Sequence, residues 1–362
     1  MSIASEVELA RKEIRTDAYQ MSIGEWISLY ENGDLDIHPE FQRLFRWSDE
    51  QKSNLIESIL LGIPLPTIFV SQRNDGVWDV IDGLQRLSTI FQTIGILKDE
   101  KGGRFPPLTF NKTKYLPSLD GLSWDGIKPL DQELKRIILR SKLGVSIILR
   151  ESDENTKYDL FERLNTGGTQ LTEQEVRNCI LVMIDRTFFE WLDSLTRIDS
   201  FIETTSLSDK LLAERYDMEL ALRFLLMAGA DEAELRTVGD VGVYLTDRMI
   251  ALAKDGSFDR NAAYNEFKMV FDTLRGQMGE DAFKRYSIAK SRHEGAFLVS
   301  VYEGVTAGVK QRVGAGRDVN SIPGLCKGLW AEKDFTDWAR SGVTASRRLW
   351  RVIPFARKYF DQ

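Results

Sequence analysis

Thiol and imidazole groups are scarce in this chain of 362 residues, which holds two cysteines, Cys179 and Cys326, and two histidines, His38 and His293. Two thiols this far apart make neither a disulfide framework nor a thiolate zinc site. Both lie in apolar sequence, where small core residues belong. Two histidines cannot furnish an HNH-type nuclease, which needs a base and metal ligands at local spacing. Long apolar runs are missing as well: none approaches the ~18 residues of a membrane helix. The opening stretch Met1–Glu8 has no basic region followed by an apolar core, so neither a secretory leader nor a membrane partner is expected, and a cytoplasmic location is. Positive charge is in deficit, 48 Lys and Arg against 55 Asp and Glu, a net −7. That argues against nonspecific coating of nucleic acid, which needs a basic surface. One local exception runs from Asp337 to Gln362, where Arg340, Arg347, Arg348, Arg351, Arg357 and Lys358 face only Asp337 and Asp361. It reads either as a solvated helix face or as a phosphate-contacting edge.

What the chain does contain is an ordinary globular composition, 43% hydrophobic and 28% charged, at a length that suggests about two domains. Ser48–Gln51 forms a capping box that opens a helix with Leu55, Ile56, Ile59 and Leu60 on one face. Gly62, Pro64 and Pro66 stop it. Strands are expected at Thr67–Ser71 and Val77–Ile81, joined by the turn Asn74-Asp75-Gly76. The next helix spaces Leu84, Leu87, Ile90, Phe91, Ile94 and Leu97 along an apolar stripe, which leaves Gln85 and Arg86 to face an open pocket. Residues 101–130, rich in Gly, Pro, Asp and Ser, read as a loop-rich lid or insertion. A helix near Gln132–Ser141 and a strand at Gly144–Leu149 complete a mixed α+β part. Beyond Glu151 strand signals almost vanish, and helices are expected at 154–165, 173–196, 209–229, 239–254, 258–276, 280–288, 291–311 and 344–360. The fold class is therefore α+β over 1–152, followed by an all-helical domain over 153–362.

Three motifs carry chemistry. The first is Pro39-Glu40-Phe41-Gln42-Arg43-Leu44-Phe45-Arg46-Trp47. Its aromatics suit a core, while Gln42, Arg43 and Arg46 are candidates for phosphate and base edges. The second is Ile81-Asp82-Gly83-Leu84-Gln85-Arg86-Leu87, a strand entering a helix through an Asp-Gly turn. Helix N-termini bind phosphate, and Gly83 admits a close ligand or simply φ > 0. Asp82 is a candidate helix cap or magnesium ligand. Arg86 opposes the helix dipole, which implies a bound anion or a nearby carboxylate. The third runs from Phe161 to Glu175, a polar double-glycine loop followed by the capping box Thr172-x-x-Glu175. Here either Asn165 caps a helix–helix connection, or Arg163 and Asn165 complete a pocket opposite Arg86.

Taken in order and at these separations, the three motifs resemble the GmrS-type family. This is the nucleotidase-like half of GmrSD modification-dependent restriction systems and the N-terminal part of SspE-type phage-defence proteins. The resemblance extends over residues 20–180. It implies a ParB/sulfiredoxin-like fold in the N-terminal domain, with NTP binding and hydrolysis at the strand–helix turn, coupled to cleavage of modified or foreign DNA. Carried over, Asp82, Gly83, Gln85 and Arg86 match the family motif, and Leu84 departs from it where the family has glutamine.

The leading expectation is an NTP-hydrolysing subunit of an anti-phage or restriction system. Asp82, Gln85 and Arg86 would be catalytic, with Gln42, Arg43, Arg46, Gly83, Arg163 and Asn165 around the phosphates and Mg2+ at Asp82. Its partners would be the nucleotide, DNA and, in trans, a nuclease or other defence-system protein. The alternative is a non-catalytic DNA-binding or nucleotide-sensing adaptor using the same pocket. A nuclease centred on the pocket is disfavoured, since no carboxylate cluster for two metals is evident.

Overall fold

The computed structural model describes residues 15–37, 47–99, 102–150, 172–340 and 342–362, together with Ile3. The chain divides into two compact units, 1–170 and 171–362. The boundary expected at 152 lies outside the described residues, as does the helix expected at 154–165.

The first unit is built on a five-stranded mixed sheet. Strand β1 (Thr16–Ser22) ends in Ser22, whose side chain caps helix α1 (Ile23–Asn32) in a full capping box with Glu25. The short β2 (Leu35–Asp36) precedes α2 (Asp49–Leu60), which opens on the expected Ser48–Gln51 box. Strand β3 (Ile68–Gln72) turns through Asn74–Gly76 into β4 (Trp78–Asp82). Helix α3 (Leu84–Ile94), α4 (Gln132–Arg140) and β5 (Lys142–Ile148) follow. The order across the sheet is β1-β5-β3-β4-β2. β5 runs parallel to β3 and antiparallel to β1, and β3 pairs antiparallel with β4. The sequence reading missed β1 and β2. β1 buries little of its length, and β2 is two residues long.

The register between β3 and β4 shifts at Phe69/Val70: Phe69 faces Asp82 while Val70 faces Val80, so Ile81 is the extra residue. Bulges of this kind re-aim the end of a strand, and this one sits directly before the Asp82–Gly83 turn. Ile68, Val70, Leu87, Ile90, Phe91 and Ile138 meet α1 and α2 in one core around Trp26 and Ile56, where Tyr30 stacks on Phe91 at 4.4 Å. The stretch at 102–130 is not a lid. Leu108, Phe110, Leu119, Trp124 and Leu130 are buried in that same core. Its backbone is tied to α2: Asn111 N–H donates to Ser53 Oγ at 2.9 Å, and Tyr115 and Leu116 N–H donate to Glu57 Oε1 at 2.7 and 2.8 Å.

The second unit is helical, apart from one hairpin. Its helices are α5 (Glu173–Ile184), α6 (Arg186–Thr196), α7 (Asp199–Thr205), α8 (Asp209–Ala213), α9 (Tyr216–Met227), α10 (Glu232–Arg236), α11 (Val241–Lys254) and α12 (Arg260–Met278). After the hairpin come α13 (Val299–Gly314), α14 (Ile322–Gly328), α15 (Lys333–Ala339) and α16 (Ala345–Phe360). The continuous helix expected at 173–196 breaks at Asp185, whose carboxylate accepts from Phe188 N–H at 3.0 Å and starts α6. That expected at 209–229 breaks at Arg215, which takes φ 56°. The helix expected at 280–288 and the start of that expected at 291–311 are instead strands β6 (Arg285–Ser287) and β7 (Arg292–Glu294), which pair antiparallel. Ser291 at φ 52° supplies a turn that no helix accommodates.

An aromatic cluster of Phe201, Phe224, Phe267, Phe271, Phe283 and Tyr302 fills this core. Beside it lies a charged knot. Arg177 pairs with Glu219 at 2.6 Å, Arg223 bridges Glu219 and Glu303 at 2.8 Å each, and Arg348 takes Glu303 from the other side at 2.8 Å. These arginines join α5, α9, α13 and α16.

Candidate functional site

Gly83 decides the geometry of the β4–α3 junction. It takes φ 102°, and a Cβ there would stand 2.3 Å from Ile68 Cδ1 and 3.3 Å from Arg86 Nη2. Only glycine meets both demands. The chain therefore leaves the bulged end of β4 and enters α3 in one residue. No side chain caps the helix. Asp82 does not take that role, although it stands immediately before the glycine. Its carboxylate Oδ2 accepts from Arg86 Nη2 at 3.0 Å, and its side chain is 44% exposed.

Arg86 is not in an open pocket. The residue is buried, and its guanidinium donates to the Pro66 and Thr67 carbonyls as well as to Asp82. Burial holds its pKa below the ordinary arginine value, against the pull of Asp82. The cation that opposes the helix dipole is thus answered by a carboxylate one turn back. It also ties the segment leading into β3 to the start of α3. Two strand ends and one helix start are locked together by a single side chain.

The expected division of α3 into an apolar stripe and an open polar face is corrected by the structure. Leu87, Ile90 and Phe91 are fully buried, but so are Ser88, Thr89 and Thr93. The two threonines satisfy their hydroxyls on the carbonyls one turn back, Gln85 O at 2.7 Å and Thr89 O at 2.8 Å. Gln92 Nε2 donates to Pro106 O at 3.1 Å. Ser88 Oγ and Gln92 Oε1 are buried with no hydrogen-bond partner among the described residues. They lie four residues apart, on one face of the helix. Leu84 is half-buried and packs against the core, as its place on the stripe predicts.

The other candidate ligands, Gln42, Arg43, Arg46, Arg163 and Asn165, lie outside the described residues. The capping box beyond them is formed: Thr172 Oγ1 accepts from Glu175 N–H at 3.3 Å, and Glu175 Oε2 accepts from Thr172 N–H at 2.7 Å. The sequence reading overlooked a second ionic device on the same hairpin. Arg73 pairs with Asp36 at 2.7 Å and with buried Asp79, binding β2 to the β3–β4 turn. Asp79 lies within the strand expected at Val77–Ile81, where nothing local marks it as an ionic partner. Among the described residues no group of three or more His, Cys, Asp or Glu could enclose a metal ion, and no helix is long and apolar enough to cross a membrane.

Comparison with curated proteins and with solved structures gives no match. The family of GmrSD restriction endonuclease N-terminal domains matches residues 23–182. That span includes the whole sheet from α1 onward, the β4–α3 junction and most of α5. The match relates this span to restriction systems. Residues 23–182 of this chain are thus similar to the GmrSD restriction endonuclease N-terminal domain family.

Proposed function

We propose that this protein is the nucleotide-binding subunit of a restriction system, that it hydrolyses an NTP at the β4–α3 junction, and that it controls a nuclease partner acting on DNA. The observation that carries the reading is the junction itself. A glycine in the left-handed region delivers the chain into a helix whose start no side chain caps, beside a half-exposed carboxylate. Such a terminus attracts phosphate. Ser88 Oγ and Gln92 Oε1 give further support, since buried polar atoms that find no partner among the described residues call for one.

The roles differ from those the sequence suggested. Arg86 is engaged with the protein, so it acts as a positioning residue that fixes Asp82 rather than as the principal phosphate ligand. Phosphate charge then falls to the helix terminus and, as the resemblance implies, to Arg43, Arg46 and Arg163, with Gln42 and Asn165 as further ligands. Gln85, in the first turn of α3, orients the attacking water. A magnesium ion suits this donor set, because it commonly takes one carboxylate and fills its remaining positions with phosphate oxygens and water. Asp82 would hold it, and it would neutralise charge developing on the transferred phosphoryl group.

A non-catalytic, nucleotide-sensing adaptor is the second reading. It draws support from the commitment of Arg86 to protein groups and from Leu84, where the resembling family has glutamine. Phosphate release from each NTP with magnesium, measured beside nucleotide binding by calorimetry, separates the two. Hydrolysis predicts steady release that falls about 100-fold in Asp82→Asn, with binding retained. Binding without release in the wild type would establish the sensing role instead, and release unchanged in Asp82→Asn would remove the junction from the chemistry.

A further inference from the structure

The basic C-terminal stretch is more than a solvated helix face. Arg351 on α16 lies between two indoles, its guanidinium 3.5 Å from the Trp338 ring centre and 3.8 Å from that of Trp350. Arg236 on α10 lies 3.7 Å from the Trp350 ring. At these distances two guanidinium groups cannot share one face of an indole, so Trp350 is sandwiched. The result is a four-layer stack, Arg236–Trp350–Arg351–Trp338, assembled from three helices. Beside it Arg340 and Arg347 are exposed.

The charge on this stack is not neutralised evenly. Arg236 pairs with Glu232 at 2.6 Å, and Glu234 is taken by Arg248 at 2.8 Å. Asp334 and Asp337 lie on α15. Even so, among the described residues no carboxylate pairs with Arg340, Arg347 or Arg351. The hydrogen bond that Arg351 makes goes to a backbone carbonyl, Arg347 O at 3.0 Å. A guanidinium held flat between rings keeps its N–H edge pointing outward in one orientation. It therefore meets a phosphate with little entropy left to lose. In a chain of net charge −7, three unpaired arginines beside ordered indoles form a local feature of opposite sign.

We propose that the Arg236–Trp350–Arg351–Trp338 stack, with Arg340 and Arg347, is a docking surface for a single strand of nucleic acid. The arginines take successive phosphates, and the two ends of the stack, the outer faces of Trp338 and of the Arg236 guanidinium, give unpaired bases a planar platform. A duplex buries its base faces and would forgo the second contribution; a single strand uses both. This surface lies entirely in the helical unit, outside the matched family span, and does not depend on nucleotide turnover at the β4–α3 junction.

The test is fluorescence anisotropy with labelled oligothymidylate, the same length of duplex, and polyglutamate as competitor. The intact chain is compared with Arg340→Ala/Arg347→Ala and with the triple variant that adds Arg351→Gln. The wild type is expected to prefer the single strand over the duplex. The triple variant should lose at least about 10-fold in affinity, and its log K against log salt slope should fall by about 2, near 0.7 for each phosphate contact removed. The double variant touches only exposed side chains and should show part of the same loss with an unchanged thermal melt. Equal binding by wild type and triple variant would overturn the proposal, as would no binding at low salt. Tighter binding of duplex would overturn the single-strand assignment. Equal displacement by polyglutamate would reassign the surface to an acidic protein.

Discussion

Gly83 shows how much of a site can rest on one missing methyl group. Any other residue must adopt φ 102° and displace Ile68 from the core beneath the sheet. Gly76, in the neighbouring turn, also has a positive φ, 92°, but nothing lies within 4 Å of its would-be Cβ. The two positions separate backbone strain from overpacking. Gly76→Ala should cost about 1 kcal/mol, the left-handed penalty alone. Gly83→Ala should cost about 2–3 kcal/mol more, because crowding in a packed core adds to it. Urea denaturation of the two variants checks this, and equal losses would mean that Ile68 yields freely. Arg86 teaches a related lesson. Its place in the first turn of α3 was a legible anomaly in the sequence, and the two resolutions, an anion or a carboxylate, were both open. The structure takes the carboxylate. The sequence could not show that the same guanidinium also gathers the Pro66 and Thr67 carbonyls, since that depends on where β3 begins in space.

At the level of elements, what could be read locally was read well. Capping boxes at Ser48 and Thr172, the Asn74–Gly76 turn and the helical stripe from Leu84 to Ile94 all depend on neighbours within one or two turns. What escaped depends on remote partners. β1 is mostly solvated and gains its identity by pairing with β5, more than a hundred residues away. The β6–β7 hairpin has apolar spacing that suits a helix, and only Ser291 gives it away. Asp185 and Asp193 lie on the same helical pattern, yet one starts a helix and the other is a buried anchor. Asp193 on α6 is held between Arg215 and Arg197. Burial alone would raise its pKa, but Arg215 and then Arg197 bring it below the usual carboxylate value. A carboxylate depressed in the fold stabilises above its unfolded pKa, and that stabilisation disappears as pH falls through the lower, folded value. The acid limb of the helical unit should therefore steepen below about pH 4. Asp193→Asn should be about 3 kcal/mol less stable at neutral pH and should lose less on acidification, as measured by denaturant midpoints from pH 7 to pH 2.

For the whole molecule, the informative fact is that the charged knot and the aromatic cluster are both complete within residues 171–362. Arg177, Glu219, Arg223, Glu303 and Arg348 find one another inside this unit. Glu303, 3% exposed, would be a costly isolated charge if either arginine came from elsewhere. The core around Phe271 is likewise drawn from α7, α9, α12 and α13, with Phe283 from the stretch between α12 and β6. A unit that satisfies its own buried charges and fills its own core should fold without the rest of the chain. A fragment from Leu171 to Gln362 should then give a helical circular dichroism spectrum and one cooperative thermal transition. Arg223→Met within the fragment should lower that transition as much as it does in the full chain, because the carboxylates it abandons belong to the same unit. A fragment that is helical but melts without cooperativity would show that the helices need the sheet-bearing unit to pack, and the family span that ends at residue 182, inside α5, would then mark a functional boundary rather than a folding one.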